Sequence, residues 1–239
     1  MNEADEPRRL SKVVAALVPC SRREAEQYIA EGWVRVDGRV VQEPQFRVAG
    51  EQVEIDRKAR LQDAGPVTLL LHKTAGIDMA AALALLGPAT HWPGEASGLR
   101  FIANHLRGLI EPSPLPEDAA GLCVFTQDRG IVRRLQEDAR GIEQELVAEV
   151  AGSIAPGGLA RLCGGLVFEG RPLPPARVSW QSETRLRIAT KDLPPARVAW
   201  MCSEVGLRLM SLKRIRIGRV AMAGLPPGQW RYLAATERF

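Results

Sequence analysis

The chain has 239 residues, 46% hydrophobic and 25% charged, with a formal net charge of +4. That balance supplies a core and excludes a low-complexity or disordered chain, and at roughly 100 to 200 residues per domain it predicts two domains. Cys20, Cys123, Cys163 and Cys202 lie far apart with no C-x-x-C pair, and His72, His91 and His105 lack ligand spacing, so neither a disulfide framework nor a metal site is expected.

The opening MNEADEPRR is polar and acidic, unlike a signal sequence. The longest apolar run, around Met79 to Leu86, is less than half of a bilayer span of about 20 residues. These features predict a soluble cytoplasmic protein with no membrane partner. Charge is unevenly distributed: residues 1–60 hold eleven cationic and eleven acidic side chains, whereas from Lys191 to the end nine Lys and Arg face three acids. A positive field is therefore expected from the C-terminal segment and from one face of the N-terminal module.

Leu10, Val13, Val14 and Leu17 are spaced for one face of a helix, with Arg8, Arg9 and Lys12 at its start. Ser21 then stands where an N-cap belongs, with Glu24 three residues on, and Ala25, Tyr28 and Ile29 share a face, which predicts a second helix from about Arg22. Val34 and Val36, then Asp37-Gly38, then Val40 and Val41 give alternation broken by a strong hairpin turn signal. The valines should go in and Arg22, Arg23, Arg35 and Arg39 should stay in water. Those arginines fit an RNA grip, and the alternative is a solvated helix face.

After Ile55 the chain turns polar, and residues 61–66 are expected to link a domain of residues 1–60 to one of residues 67–239. Val67 to His72 reads as a buried strand, Met79 to Leu86 as a helix, and Gly87 to Gly98 as a loop. GLCVFT, Gly121 to Thr126, is a second buried strand, followed by a turn at Gln127-Asp128 and a helix through Ile131 and Leu135. Ile142 to Val150 alternates as a strand, shorter strands follow near Leu166, Val178 and Leu186, and a helix runs from about Ala196 to Val205. Strands adjacent in sequence and mixed with helices predict an α+β domain around a mixed, largely antiparallel sheet. LPPARVSW at Leu173 to Trp180 recurs as LPPARVAW at Leu193 to Trp200, too short a repeat for a solenoid and without a physical account at this level.

Two resemblances to known families follow from these motifs. Residues 8 to 55, with the run S-R-R-E-A followed by G-W-V-R-V-D-G, closely resemble the alpha-L RNA-binding domain. That implies RNA contacts from Arg8, Arg9, Lys12, Ser21, Arg22, Arg23, Arg35 and Arg39. Val67 to Leu233 resembles the RsuA-like branch of rRNA pseudouridine synthases on three stretches: LLLHKTAG, GLCVFTQDRGIVRRL and MSLKRIRIGRVAMAGLPPGQWRYL. An N-terminal alpha-L module is how such synthases are built, so the partner implied is RNA, most simply rRNA or a ribosomal precursor.

The reaction implied breaks the bond between uracil nitrogen and ribose, turns the base and rejoins it through carbon. It needs no cofactor but relies on one aspartate, in G-R-L-D-x-D-S-E-G-L, five residues before the glycine that aligns with Gly121. Five residues before Gly121 stands Pro116, within SPLPEDAAGL. The family's E-K-x-Y-L-V strand is EQELVA here, with Gln144 and Leu146 in the lysine and tyrosine positions, and its N-R-Q-I-R-R-M helix is PARVAWM. Changes gathered on the chemistry, beside a readable RNA module, imply an RNA-binding member whose isomerase activity is impaired or lost. The alternative is an active synthase with Asp118 or Glu117 recruited as nucleophile, and a scaffold that never touches RNA is a third reading. Lys213, Arg214, Arg216 and Arg219 are expected to track phosphates beside the cleft, or else to keep a strand edge soluble.

Overall fold

The computed structural model describes residues 6–57, 59, 65–95 and 97–239, which divide into two units. One is Met1–Pro66 with Gly98–Gly108, the other Val67–Ser97 with Leu109–Phe239. Residues 61–64 of the expected linker lie outside the described residues.

In the first unit the order is β1 (Arg8–Arg9), α1 (Leu10–Leu17), α2 (Arg22–Ala30), β2 (Val34–Val36), β3 (Arg39–Val40), β4 (Arg47–Val48) and β5 (Val53–Ile55). The α2 start is fixed by a reciprocal capping box: Glu24 N donates to Ser21 Oγ (3.2 Å) and Ser21 N donates to Glu24 Oε2 (2.7 Å). Asp37 (φ 47°) and Gly38 (φ 75°) both take positive φ, the backbone of a tight two-residue hairpin, so β3 folds back onto β2. Leu10, Val14, Ala25, Ile29, Val34, Val36 and Val48 form the core. Val40 does not join it: it is 47% exposed, on a two-residue strand at the edge of the β3-β2-β5 sheet. Gly98–Gly108, expected within the second domain, clusters with this unit instead. Arg100 lays its guanidinium 4.2 Å from the centre of the Trp33 ring and donates to Gly32 O (3.2 Å).

The second unit runs β6 (Thr68–Lys73), α3 (Met79–Ala84), β7 (Ala120–Thr126), α4 (Arg129–Gln136), β8 (Glu143–Gly152), α5 (Gly158–Gly164), β9 (Val167–Phe168), β10 (Arg171–Pro172), β11 (Ala176–Trp180), β12 (Arg185–Lys191), α6 (Val198–Ser203), β13 (Leu207–Ile217), β14 (Val220–Ala221) and β15 (Trp230–Tyr232). Eight strands make one sheet in the order β11-β12-β8-β13-β7-β6-β15, with β14 beside β13. Every pairing is antiparallel except β13 with β7, so the sheet is mixed and largely antiparallel, as the sequence predicts. At that parallel seam Gly121 sits against Arg214, and a Cβ on Gly121 would lie 2.1 Å from Arg214 O, so only glycine lets the two backbones meet. The helix expected from Ala196 is shorter: Pro195–Arg197 form a 3-10 turn before α6, and α5 has no counterpart in the sequence reading.

Candidate functional site

Two places gather the chemistry, one in each unit. In the first unit, β1 pairs with β4 so that Arg9 lies opposite Arg47, and the pair closes one wall of a concavity of about 710 Å³. Arg8, Arg9, Lys12, Arg22 and Arg47 line it, with Glu6 the one acid among the described residues. All five cations are exposed. Arg22 also pairs with Glu26 at 3.0 Å, but both groups are exposed, so water and salt compete readily for that contact. Arg47 was missed in the sequence because a lone arginine beside Val48 carries no signal until β4 is paired with β1. Arg23, Arg35 and Arg39 are exposed outside this wall, Arg35 donating to Gly38 O (3.1 Å) within the hairpin. The Ser21 oxygen is occupied as a cap, so its first task is to hold α2 in place.

In the second unit the loop of residues 111–119 leads into β7. Lys73, at the end of β6 and fully buried, donates from Nζ to the carbonyl oxygens of Pro116 (3.1 Å), Glu117 (2.8 Å) and Ala119 (2.7 Å). One ammonium therefore pins this loop by its backbone, while Glu117 and Asp118 themselves are exposed. Burial lowers the Lys73 pKa, opposed by Cys123, Asp118, Glu111 and Glu117. Arg214, also fully buried, donates to Leu122 O (2.8 Å), Ser113 Oγ (2.9 Å) and Ser113 O (2.7 Å). Its guanidinium is spent on neutral acceptors.

A carboxyl that the sequence reading did not single out lies among these cations. Burial pushes Glu111 up to about 7, opposed by Arg214, a hydrogen bond with Cys123, and Lys73, and its Oε1 is buried without a hydrogen-bond partner. The Cys123 thiol is itself pushed up to about 12, chiefly by burial. The only available signal was an acid set directly after Leu109-Ile110, in a stretch that reads as loop.

Two small cavities flank the loop. One, of about 220 Å³, is lined by Ser113, Pro114, Gln144, Leu193, Pro194 and Pro195 among others; the second, of about 190 Å³, has Pro116, Asp118, Pro195 and the Leu209–Leu212 stretch. Proline rings thus face both spaces. Gln144 Nε2 donates to Leu193 O, its Oε1 is buried without a partner, and Leu146 is fully buried in the sheet.

Residues 8–53 match the S4 domain family. Over nearly its whole length the chain is also similar to curated RNA pseudouridine synthases. An uncharacterised RNA pseudouridine synthase of Aquifex aeolicus is 28% identical over 233 residues, covering 96% of this chain and 94% of that protein. Ribosomal large subunit pseudouridine synthase B of Bacillus subtilis is 27% identical over 236 residues (96% and 93%), and the dual-specificity RNA pseudouridine synthase RluF of Salmonella typhi 26% over 235 residues (98% and 78%). The chain thus carries an S4 domain and is homologous to RNA pseudouridine synthases. The fold agrees: a crystal structure of a pseudouridylate synthase superposes with TM-score 0.59 and 19% identity, covering 95% of this chain and 96% of that one.

Within this synthase homologue two expected phosphate contacts fail for a physical reason. Arg214 is enclosed and cannot meet a ligand phosphate from the surface. Arg216 is half-buried and holds Glu143 Oε1 (2.6 Å) and Glu145 Oε2 (2.9 Å), carboxylates whose pKa values are lowered by hydrogen bonds from arginine. Arg231 is likewise spent on Glu237 (2.6 Å). Much of the C-terminal cationic surplus is therefore neutralised or enclosed within the domain. Lys213 is partly exposed and Arg219 exposed. Among the described residues no group of three or more His, Cys, Asp or Glu side chains could hold a metal ion, and no helix is long and apolar enough to cross a membrane.

Proposed function

We propose that this synthase homologue binds structured rRNA in the cytoplasm through its S4 module and that its synthase domain has lost, or largely lost, uridine isomerisation. The grip would be the basic concavity of Arg8, Arg9, Lys12, Arg22 and Arg47, where phosphate contacts supply affinity and salt sensitivity. The reading of lost activity rests on one observation: at the position that the family resemblance gives to the nucleophile stands Pro116, its carbonyl held by Lys73, and the nearby buried Arg214 is satisfied by Ser113 and Leu122 instead of a carboxylate. The names of relatives that act on the large ribosomal subunit support rRNA as the partner.

A second reading is favoured by a specific feature, since Asp118 lines the same 190 Å³ cavity as Pro116. An active synthase would then use Asp118, or Glu117, as the nucleophile. Neighbouring Cα atoms are about 3.8 Å apart, however, and a misplacement of about 1 Å can already cost on the order of a hundredfold in rate. Incubation with rRNA carrying labelled uridine decides between the readings. No pseudouridine above background is the expected result; clear turnover that disappears in Asp118→Ala or Glu117→Ala overturns the proposal.

A further inference from the structure

A concavity of about 960 Å³ in the second unit adjoins the 220 Å³ cavity beside the loop, sharing Asp192 and Pro194 with it, and extends away from Pro116 and Glu111, which do not line it. It is walled by both copies of the Leu-Pro-Pro repeat, the first through Leu173, Pro174 and Pro175 and the second through Pro194 and Arg197. Prolines hold their backbone φ fixed, so these walls lose little freedom when something binds between them. On the floor, the Arg197 guanidinium lies 3.6 Å from the centre of the Phe168 ring, and Phe168 meets Trp200 edge to face at 4.9 Å.

Arg171 and Lys191 are exposed at the wall and, among the described residues, no carboxylate pairs with either side chain. Arg140 reaches Asp192 at 3.2 Å, in an exposed pair that water weakens. Counting Glu169 as well, four cations face two acids, so the concavity favours an anion. Unpaired cations beside a flat guanidinium stacked on an aromatic ring match a phosphodiester carrying an unstacked base, since phosphate takes the charge and the base takes the flat surface. Duplex RNA fits poorly, because its bases are hidden inside the helix.

We propose that this concavity is a binding site for a short single-stranded RNA segment, with Arg171 and Lys191 on the phosphates and the Arg197–Phe168 stack under a base. The proposal extends the RNA-binding reading to a second contact, on the synthase domain itself. Its volume stands at the upper end of the roughly 300–1,000 Å³ usual for ligand clefts.

The test uses the full chain and fluorescently labelled hexauridylate, read by anisotropy across a salt series, with a folded rRNA fragment measured in parallel. The double variant Arg171→Glu, Lys191→Glu is expected to bind hexauridylate at least tenfold more weakly, with a salt slope lower by about 1.4, roughly 0.7 for each lost phosphate contact. Phe168→Leu should weaken it several-fold while leaving that slope intact. A charge-matched control on exposed positions elsewhere, Arg185→Glu with Arg208→Glu, should stay within about threefold of wild type. Equal binding by the double variant and the control overturns the proposal, as does competition by uridine monophosphate or inorganic phosphate at the concentrations where hexauridylate binds, which would make this a site for a free anion. Hexauridylate containing 4-thiouridine should cross-link to peptides within 168–175 or 191–197, and cross-links confined to residues 6–57 would equally refute it. If wild type binds folded rRNA but not hexauridylate, this site alone is wrong; if it binds neither, the S4 reading falls too.

Discussion

Replacing Glu111 with glutamine should change how stability depends on pH, because the carboxyl is pushed up to about 7 from 4.5 by burial. Between about pH 4.5 and 7 the native chain then holds a proton that the unfolded chain has lost, so wild-type stability falls as pH rises through that window and levels off above it. A shift of this size corresponds to about 3.4 kcal/mol at 1.36 kcal/mol per unit, and partial exposure of Glu111 reduces that to about 2 kcal/mol. Glutamine keeps the shape and removes the titration. His72 and His105, whose pKa values are lowered mainly by burial, push the wild-type curve the opposite way, because the unfolded state binds their protons first. They cancel when the variant is subtracted from wild type. Urea unfolding of both proteins at pH 5 and pH 8 should therefore show Glu111→Gln gaining about 2 kcal/mol on wild type at the higher pH. Should the variant instead lose ground at pH 8, Glu111 is ionised as the counter-charge of Arg214, and the cleft keeps an acid–arginine pair that the proposed loss of function does not allow for.

Other outcomes follow from the same geometry. Arg47→Glu should weaken binding to folded rRNA and lower the salt slope by about 0.7 to 0.9, as for one lost phosphate contact; an unchanged slope removes Arg47 from the grip. Ser21→Ala breaks the capping box of α2 and should cost about 1 kcal/mol in urea unfolding, with folded-rRNA affinity falling only as far as the module unfolds. Gly121→Ala puts a methyl 2.1 Å from Arg214 O, where backbone must move, and should cost roughly 4 kcal/mol or more, so a wild-type urea midpoint would contradict the parallel seam between β7 and β13.

Local signals were legible wherever the chain meets its own near neighbours. Ser21 with Glu24, and Asp37 with Gly38, set a helix start and a hairpin within a few residues, and the RNA module was readable for that reason. The buried strands of Thr68–Lys73 and Ala120–Thr126 announced themselves through the apolar runs at Leu69–Leu71 and Leu122–Phe125. The candidate sites were harder to read. Arg214 and Arg216 look like a cationic strand, yet one is enclosed by Leu122 and Ser113 and the other is claimed by Glu143 and Glu145, partners about 70 to 100 residues away. Glu111 carried only the faint mark of an acid after Leu109-Ile110, and Arg47 none, since their significance comes from what β7, β13 and β1 bring beside them.

The repeated octapeptide separates the two contributions cleanly. Both copies read Leu-Pro-Pro-Ala-Arg-Val, one residue, then Trp. In the first copy Ala176–Trp180 is a strand paired with β12; in the second, a 3-10 turn at Pro195–Arg197 passes into helix α6. By itself the sequence determined the stiff proline entry, the apolar positions and the charge available in each copy. Only the tertiary structure decided that one would satisfy its backbone across a sheet and the other within a helix, because the difference in intrinsic preference is small beside the neighbours that each backbone meets.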